Sequence, residues 1–247
     1  MDSVDRIAEL LLHLSGDESV DFGEIDRALL AGVRCSEIAL AQQKILDAGL
    51  EVDELRLLWK NNRGVLPDLG AKLRGEIEDG HILQRVLAEH EMVLCFISDL
   101  NEVNSKIQQL DYGSSSTEEI RRLAHIVGHL VSSEQHCERE EQVIFPELDK
   151  CGFYELLKVV SYQHSRISKK YHVLNSLIWD VDDTDFDKFK SRLEELTGYL
   201  VAAVRTHVFI ETNVIYPLAL ELISDKKVWA RMKGVCNQIG YCGFDAC

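Results

Sequence analysis

Two stretches of the chain place a histidine and a glutamate four residues apart, and both run on into the same ending. HCEREEQVIFP (136–146) and HVFIETNVIYP (207–217) share one template: His, three residues, Glu, two residues, then Val-Ile-aromatic-Pro, repeated 71 residues apart. On a helix, positions i and i+4 share a face, about 6 Å apart along the axis. An imidazole and a carboxylate so placed can serve metal ions, the nitrogen holding one ion while the carboxylate reaches inward to bridge two. Single histidines, His90 and His164, precede the pairs by 46 and 43 residues. Each interrupts an apolar stripe at helical spacing: Leu83, Val86, His90, Leu94, Ile97 in one case, and Leu157, Val160, His164, Ile167, Tyr171 in the other. Stripes of that period face a core.

A core holding four histidines and two glutamates carries a heavy polar load. Buried unpaired, these groups cost several kcal/mol, with ionised carboxylates the worst case. A metal satisfies them most simply. Two helix hairpins, each contributing His…His-x3-Glu about a pseudo-twofold axis, give two ions. His90, His136, His164 and His207 supply nitrogens, Glu140 and Glu211 bridge, and an oxo or hydroxo group from solvent completes the centre. Each ion keeps an open position, and imidazole with carboxylate suits iron. His125 and His129 fall on the face of His136 and Glu140 at about 100° per residue. They read as polar groups at the bundle end, or as residues behind the ligands on an access path. Tyr171 points inward, either as core or as a hydrogen-bond donor to a bound oxygen species. Glu134, Glu138 and Glu141 read as a solvated face, Cys137 as a small packing residue and Cys35 as incidental. Cys236, Cys242 and Cys247 crowd the tail as a candidate thiol site, with spacing that matches no common zinc motif.

Four long helical patterns must carry these residues. The first spans about 81–107. The second opens at Ser116-x-x-Glu119, a capping box, and runs to about 144, where Pro146 is expected to stop it. The third covers about 153–179, and the fourth starts near Thr184 or Asp185 and stops before Pro217. Short turns, DYGSSS and DVDDTD, separate them. The expected fold is all-α, an up-down-up-down four-helix bundle over 80–220. An N-terminal helical domain (1–75) precedes it, with helices near Val4–Leu14, 24–32, 35–48 and 52–66. A short helix (about 217–233) and the cysteine tail fill out 221–247.

Composition agrees with this plan and excludes other classes. Gly and Pro are scarce (15 and 3) in a chain 46% hydrophobic, which favours helices. No run of 18 apolar residues is present to span a membrane. A net charge of −15 argues against a nucleic-acid partner held by phosphate contacts. The acidic start MDSVDRIAEL is unlike a secretion signal, and seven cysteines, an odd number, read as reduced thiols. The expectation is a cytoplasmic protein.

The motifs AEH (88–90), HCEREEQVIFPEL (136–148), YQH (162–164) and HVFIETNVIYP (207–217) resemble those of hemerythrin-like, or HHE cation-binding, domains. The resemblance covers roughly 80–220. It implies a four-helix bundle with a non-haem di-iron centre held by His90, His136, Glu140, His164, His207 and Glu211. The oxygen-carrying hemerythrins have a further His where this chain has Ser168 and an Asp where it has Thr212. The four-His, two-Glu set is more similar to repair-of-iron-centres proteins and related nitrosative-stress proteins, although their N-terminal Cys-Cys motif is absent. The first 75 residues and CNQIGYCGF are similar to proteins that place a helical domain before a hemerythrin-like one. The implied role is to bind or react with a diatomic ligand or peroxide in oxidative or nitrosative stress or iron-centre repair. Alternatives are a sensor signalling through the N-terminal domain, by a homodimer or a protein partner, and a zinc-stabilised structural bundle.

Overall fold

The computed structural model of the chain describes residues 3–13, 32–51, 54–55, 58–59 and 69–243. The expected helix at 24–32, most of 52–66, and Cys247 lie outside them. Among the described residues every regular element is helical. Helices α1 (Ser3–His13), α2 (Cys35–Asp47) and α3 (Leu69–Glu76) precede the long helix α4 (Ile82–Ile107). The next hairpin arm comprises α5 (Glu118–Ser132), α6 (Glu134–Arg139), a π-helical turn (Glu140–Ile144) and α7 (Phe145–Asp149). Then come α8 (Tyr154–Trp179), α9 (Phe186–Ile210), a second π turn (Glu211–Ile215), α10 (Tyr216–Leu222) and α11 (Lys226–Ile239).

Helices α4, α5, α8 and α9 touch in a closed ring, each packed on two neighbours. Local signals fix their starts. The Asp185 carboxylate accepts from Lys188 N at 3.0 Å and caps α9, and His81 Nδ1 accepts from Leu83 N at 3.2 Å at the start of α4. The expected capping box at Ser116 does not form. Helix α5 begins after Thr117, whose hydroxyl accepts from Ser114 N, while the Ser116 hydroxyl pairs with that of Ser114. The amide of Leu156 in the first turn of α8 is satisfied from another element, by Gln43 Oε1 of α2 at 3.1 Å.

The prolines behave differently from expectation. Neither Pro146 nor Pro217 ends its helix; the backbone continues to Asp149 and Leu222. A proline inside an α-helix loses one hydrogen bond and its ring collides with the carbonyl four residues back. Here a π turn stands immediately before each one. The amides of Phe145 and Tyr216 bond five residues back, to Glu140 O and Glu211 O. The extra residue widens the turn so that the proline ring fits. The chain breaks later than expected, after Leu222, and α11 starts afresh at Lys226 with its own Asp225 cap, so no single helix spans 217–233.

Apolar packing falls into two clusters. One, including Ile97, Leu100, Leu123, Leu174 and Leu196, fills one end of the ring. The other, including Leu83, Val143, Val160 and Ile210, continues into Ile7, Leu11, Ile38 and Trp59 of the N-terminal segment and Met232 of α11. The clusters divide at the same level on every arm: around His90, His136, His164 and His207. Those histidines form a polar layer across the bundle.

The N-terminal segment docks against the second π turn. Cys35, buried rather than incidental, donates its thiol to Val214 O at 3.1 Å. Gly70 N donates to Asn213 Oδ1 at 3.0 Å. A Cβ at Gly70 would lie 2.5 Å from Thr212 Cγ2, whereas one at Gly75 would meet nothing within 4 Å. Gly→Ala in a helix ordinarily stabilises by about 0.5–1 kcal/mol. Gly75→Ala should do so, whereas Gly70→Ala should destabilise by about 1–3 kcal/mol through overpacking, a contrast in sign that urea unfolding will read directly.

Candidate metal centre

All six residues singled out in the two repeats meet in the polar layer, each at most 6% exposed. His90 and His136 bring their Nε2 atoms within 2.9 Å. Glu211 reaches both halves of the centre, with Oε2 3.0 Å from His90 Nε2 and Oε1 3.0 Å from the Nε2 atoms of His164 and His207. Glu140 Oε2 lies between His136 Nε2 at 3.4 Å and His164 Nε2 at 3.3 Å. Three groups of donor atoms result: His90, His136, Glu140 and Glu211; His164, His207 and Glu211; and Cys137 with Glu140 and His164. Cys137 is therefore more than packing, since it borders the second half of the centre.

Residues from neighbouring arms hold the outer ring nitrogens. His136 Nδ1 donates to Glu89 Oε2 at 2.9 Å, and His164 Nδ1 to Glu141 Oε1 at 2.7 Å. His207 Nδ1 donates to Gln163 Oε1 at 3.1 Å, and His90 Nδ1 is hydrogen-bonded to Thr212 Oγ1 at 3.1 Å. These partners obey the pseudo-twofold symmetry. Glu89 and Gln163 each precede a single histidine, while Glu141 and Thr212 each follow a template glutamate. They were legible in AEH and YQH and in the repeat register, but composition gave no cue to their role. Glu141 and Glu134 are thus not simply solvated; Glu134 accepts from the Ser168 hydroxyl at 2.6 Å.

A carboxylate or amide oxygen only accepts, so the outer nitrogen of His136, His164 and His207 carries the proton. In a neutral ring the other nitrogen then presents a lone pair. Those lone pairs converge with the carboxylates of Glu140 and Glu211. One oxygen of each, Glu140 Oε2 and Glu211 Oε2, has no hydrogen-bond partner. His90 Nε2 is close to Glu211 Oε2, but not in hydrogen-bonding geometry. Lone pairs facing one another in a dry layer demand positive charge. Protons are one source. Burial lowers the His136 and His164 pKa values, but Glu140 and Glu89 around the first, and Cys137, Glu140 and Glu141 around the second, outweigh it and raise both. Burial likewise pushes the Glu211 carboxyl up, yet His207, His164 and His90 hold it well below the usual range. Cations are the other source, and the donor set fits them. Two nitrogen or oxygen ligands at about 2.0–2.2 Å from one ion stand about 2.9–3.5 Å apart, the spacing measured here.

The other sequence candidates divide. Tyr171 is buried beside the centre, lining a cavity of about 40 Å³ with Ser133, Cys137 and the side chains of Val93, Ile167, Val204 and Val208. His125 and His129 lie elsewhere. Their Nε2 atoms pair with each other at 3.3 Å, and the His129 ring stacks on Phe96. The turn at Ser133, between α5 and α6, resets the helical phase and takes these two off the face of His136. Cys236 and Cys242 are buried outside the metal-ligand groups, the Cys242 thiol pushed up to about 11 by burial and by Glu89.

Two further residues were missed by sequence reasoning. Tyr216, the aromatic of the second template, donates its hydroxyl proton to Glu140 Oε1 at 2.5 Å. Arg139 stands among acids that resemble a solvated face, yet is fully buried. It pairs with Glu89 and donates to Gly240 O at 2.6 Å, and the Tyr241 ring lies 5.0 Å beneath its guanidinium. Glu89 also accepts from Cys242 N at 3.2 Å. The tail thereby closes over the carboxylate that orients His136.

Residues 81–219 match the family model of the hemerythrin HHE cation-binding domain. No curated protein matches the chain. Removing one partner from a buried ion pair typically costs about 3–5 kcal/mol. Arg139→Met should lower stability by that amount in urea unfolding, and the double variant Glu89→Gln/Arg139→Met should recover part of it.

Proposed function

The chain belongs to the hemerythrin HHE cation-binding family, and from that premise we propose that it is a non-haem di-iron protein that binds or reacts with a small ligand. The observation that carries this is the pair of buried, unpartnered carboxylate oxygens, Glu140 Oε2 and Glu211 Oε2, among inward-facing imidazoles. His90 and His136 would hold one iron, His164 and His207 the other, with Glu211 offering one oxygen to each. Four nitrogens with two carboxylates favour iron over the softer metals that thiolate-rich sites select. Bound iron supplies an open, redox-active position for a small ligand.

The remaining residues define what can reach that position. The cavity beside the centre has about 40 Å³, room for a few atoms, given that one water requires about 10–15 Å³ by the same measure. Its apolar walls suit O₂, NO or peroxide and exclude larger substrates. Tyr171 places a phenol on that wall, where it can donate a hydrogen bond to a bound oxygen atom. Burial raises its pKa, which keeps the proton on the oxygen.

A specific observation favours a sensor within this reading. Thr212, which holds His90, is packed against Gly70, and the turn that carries it is hydrogen-bonded to Cys35 and Gly70. A shift of His90 on ligand binding would press on the N-terminal segment. Among the described residues no helix is long and apolar enough to cross a membrane; we place the protein in the cytoplasm, where its thiols stay reduced.

Metal analysis of anaerobically purified protein should give two irons per chain, and optical spectra should change on adding O₂ or NO. Zinc, or no metal after aerobic and anaerobic preparation alike, would overturn the reading in favour of a structural bundle or none. His136→Ala and Glu140→Ala should each lower metal content, and a chelator should lower the melting temperature of the wild type but not of these variants. Because His136 and His164 take up protons more readily than ordinary histidines, protons compete with metal. Iron affinity should therefore weaken as pH falls through the raised range of these two histidines, with protons released on metal uptake, as isothermal titration in buffers of different ionisation enthalpy will show.

A further inference from the structure

We infer that Tyr216 is a metal ligand, a phenolate oxygen that completes the coordination of the His90–His136 half of the centre and leaves the other half open. This rests on the di-iron reading but goes beyond its six donors. The Tyr216 hydroxyl oxygen lies 3.1 Å from His90 Nε2, 3.3 Å from His136 Nε2 and 2.5 Å from Glu140 Oε1. The first two separations match the 2.9 Å between the two Nε2 atoms and the 3.0 Å from His90 Nε2 to Glu211 Oε2. They are the edges expected between ligands that share one ion at about 2.0–2.2 Å. Tyr216 is fully buried.

The π turn places it there. On an uninterrupted helix Tyr216 would stand about 140° from Glu211. The i→i−5 bond from Tyr216 N to Glu211 O makes it the next residue on the same face, about 40° away. Its symmetry mate is Phe145, whose ring stacks on His164 with centroids 5.9 Å apart. Phe145 has no donor atom. The pseudo-twofold centre therefore carries a fifth protein ligand on one side only, and the position beside His164 and His207 is the one left for an exogenous ligand. On metal binding the phenolic O–H bond breaks, the oxygen takes the metal, and the proton now shared with Glu140 Oε1 leaves to solvent. No electron moves in that step.

The test uses the full chain loaded with iron and oxidised, compared with Tyr216→Phe and with Tyr171→Phe as the control for the other buried phenol. Wild type should show a phenolate-to-iron(III) charge-transfer band, with tyrosinate ring modes enhanced in resonance Raman excited within it. Tyr216→Phe should abolish both at saturating iron while circular dichroism stays helical, and Tyr171→Phe should keep both. Iron affinity in Tyr216→Phe should fall at least about tenfold. Two irons per chain with no such band, or a band that survives Tyr216→Phe, would overturn the ligand assignment and leave the di-iron reading intact. Failure of wild type to bind iron would overturn both.

Discussion

Converging lone pairs in a dry layer are the constraint on which this molecule turns. Four imidazoles and two carboxylates sit between two apolar clusters, where unpaired polar groups are costly. Without positive charge among them they repel. The carboxylates around His136 and His164 raise the pKa of both against the effect of burial, which is the mark of that demand. The outer hydrogen bonds intensify it. By fixing protons on the outward nitrogens, Glu89, Glu141 and Gln163 aim the inward ones at the centre and keep them basic.

Symmetry is followed closely in the inner donors and broken around them. Each single histidine and each paired histidine has an outer partner at the equivalent position, but one partner in each equivalent pair is a carboxylate and the other neutral: Glu89 against Gln163, Glu141 against Thr212. The aromatic at the end of the template is Tyr216 in one copy and Phe145 in the other. The two equivalent hairpins thus form a centre with two unlike sides, and the cavity next to it is lined by the histidines of both.

The two peripheral segments each fasten to one side of the centre. The C-terminal tail closes over Glu89 and Arg139, behind His136, and the N-terminal segment packs on the second π turn, behind Glu211 and Thr212. Both segments therefore reach residues that stand a single contact away from the inner histidines, Glu89 beside His136 and Thr212 beside His90.

Local periodicity determined much of this. Two His-x3-Glu pairs, two striped histidines and four helical patterns follow from residue type and a period of 3.6, so the all-α fold and the six residues that meet in the polar layer were legible in the sequence. The period also misled, wherever a turn changed the phase. The Ser133 turn separated His125 and His129 from the helix of His136, and the π turns carried the helices through prolines that should have stopped them and brought Tyr216 inward. Tertiary structure alone decided the partners. His136 meets Glu89 across 47 residues, Tyr216 meets Glu140 across 76, and Cys242 meets Glu89 across 153. No local pattern encodes such pairs, because they exist only once the arms are packed and buried polar groups must find the nearest complement.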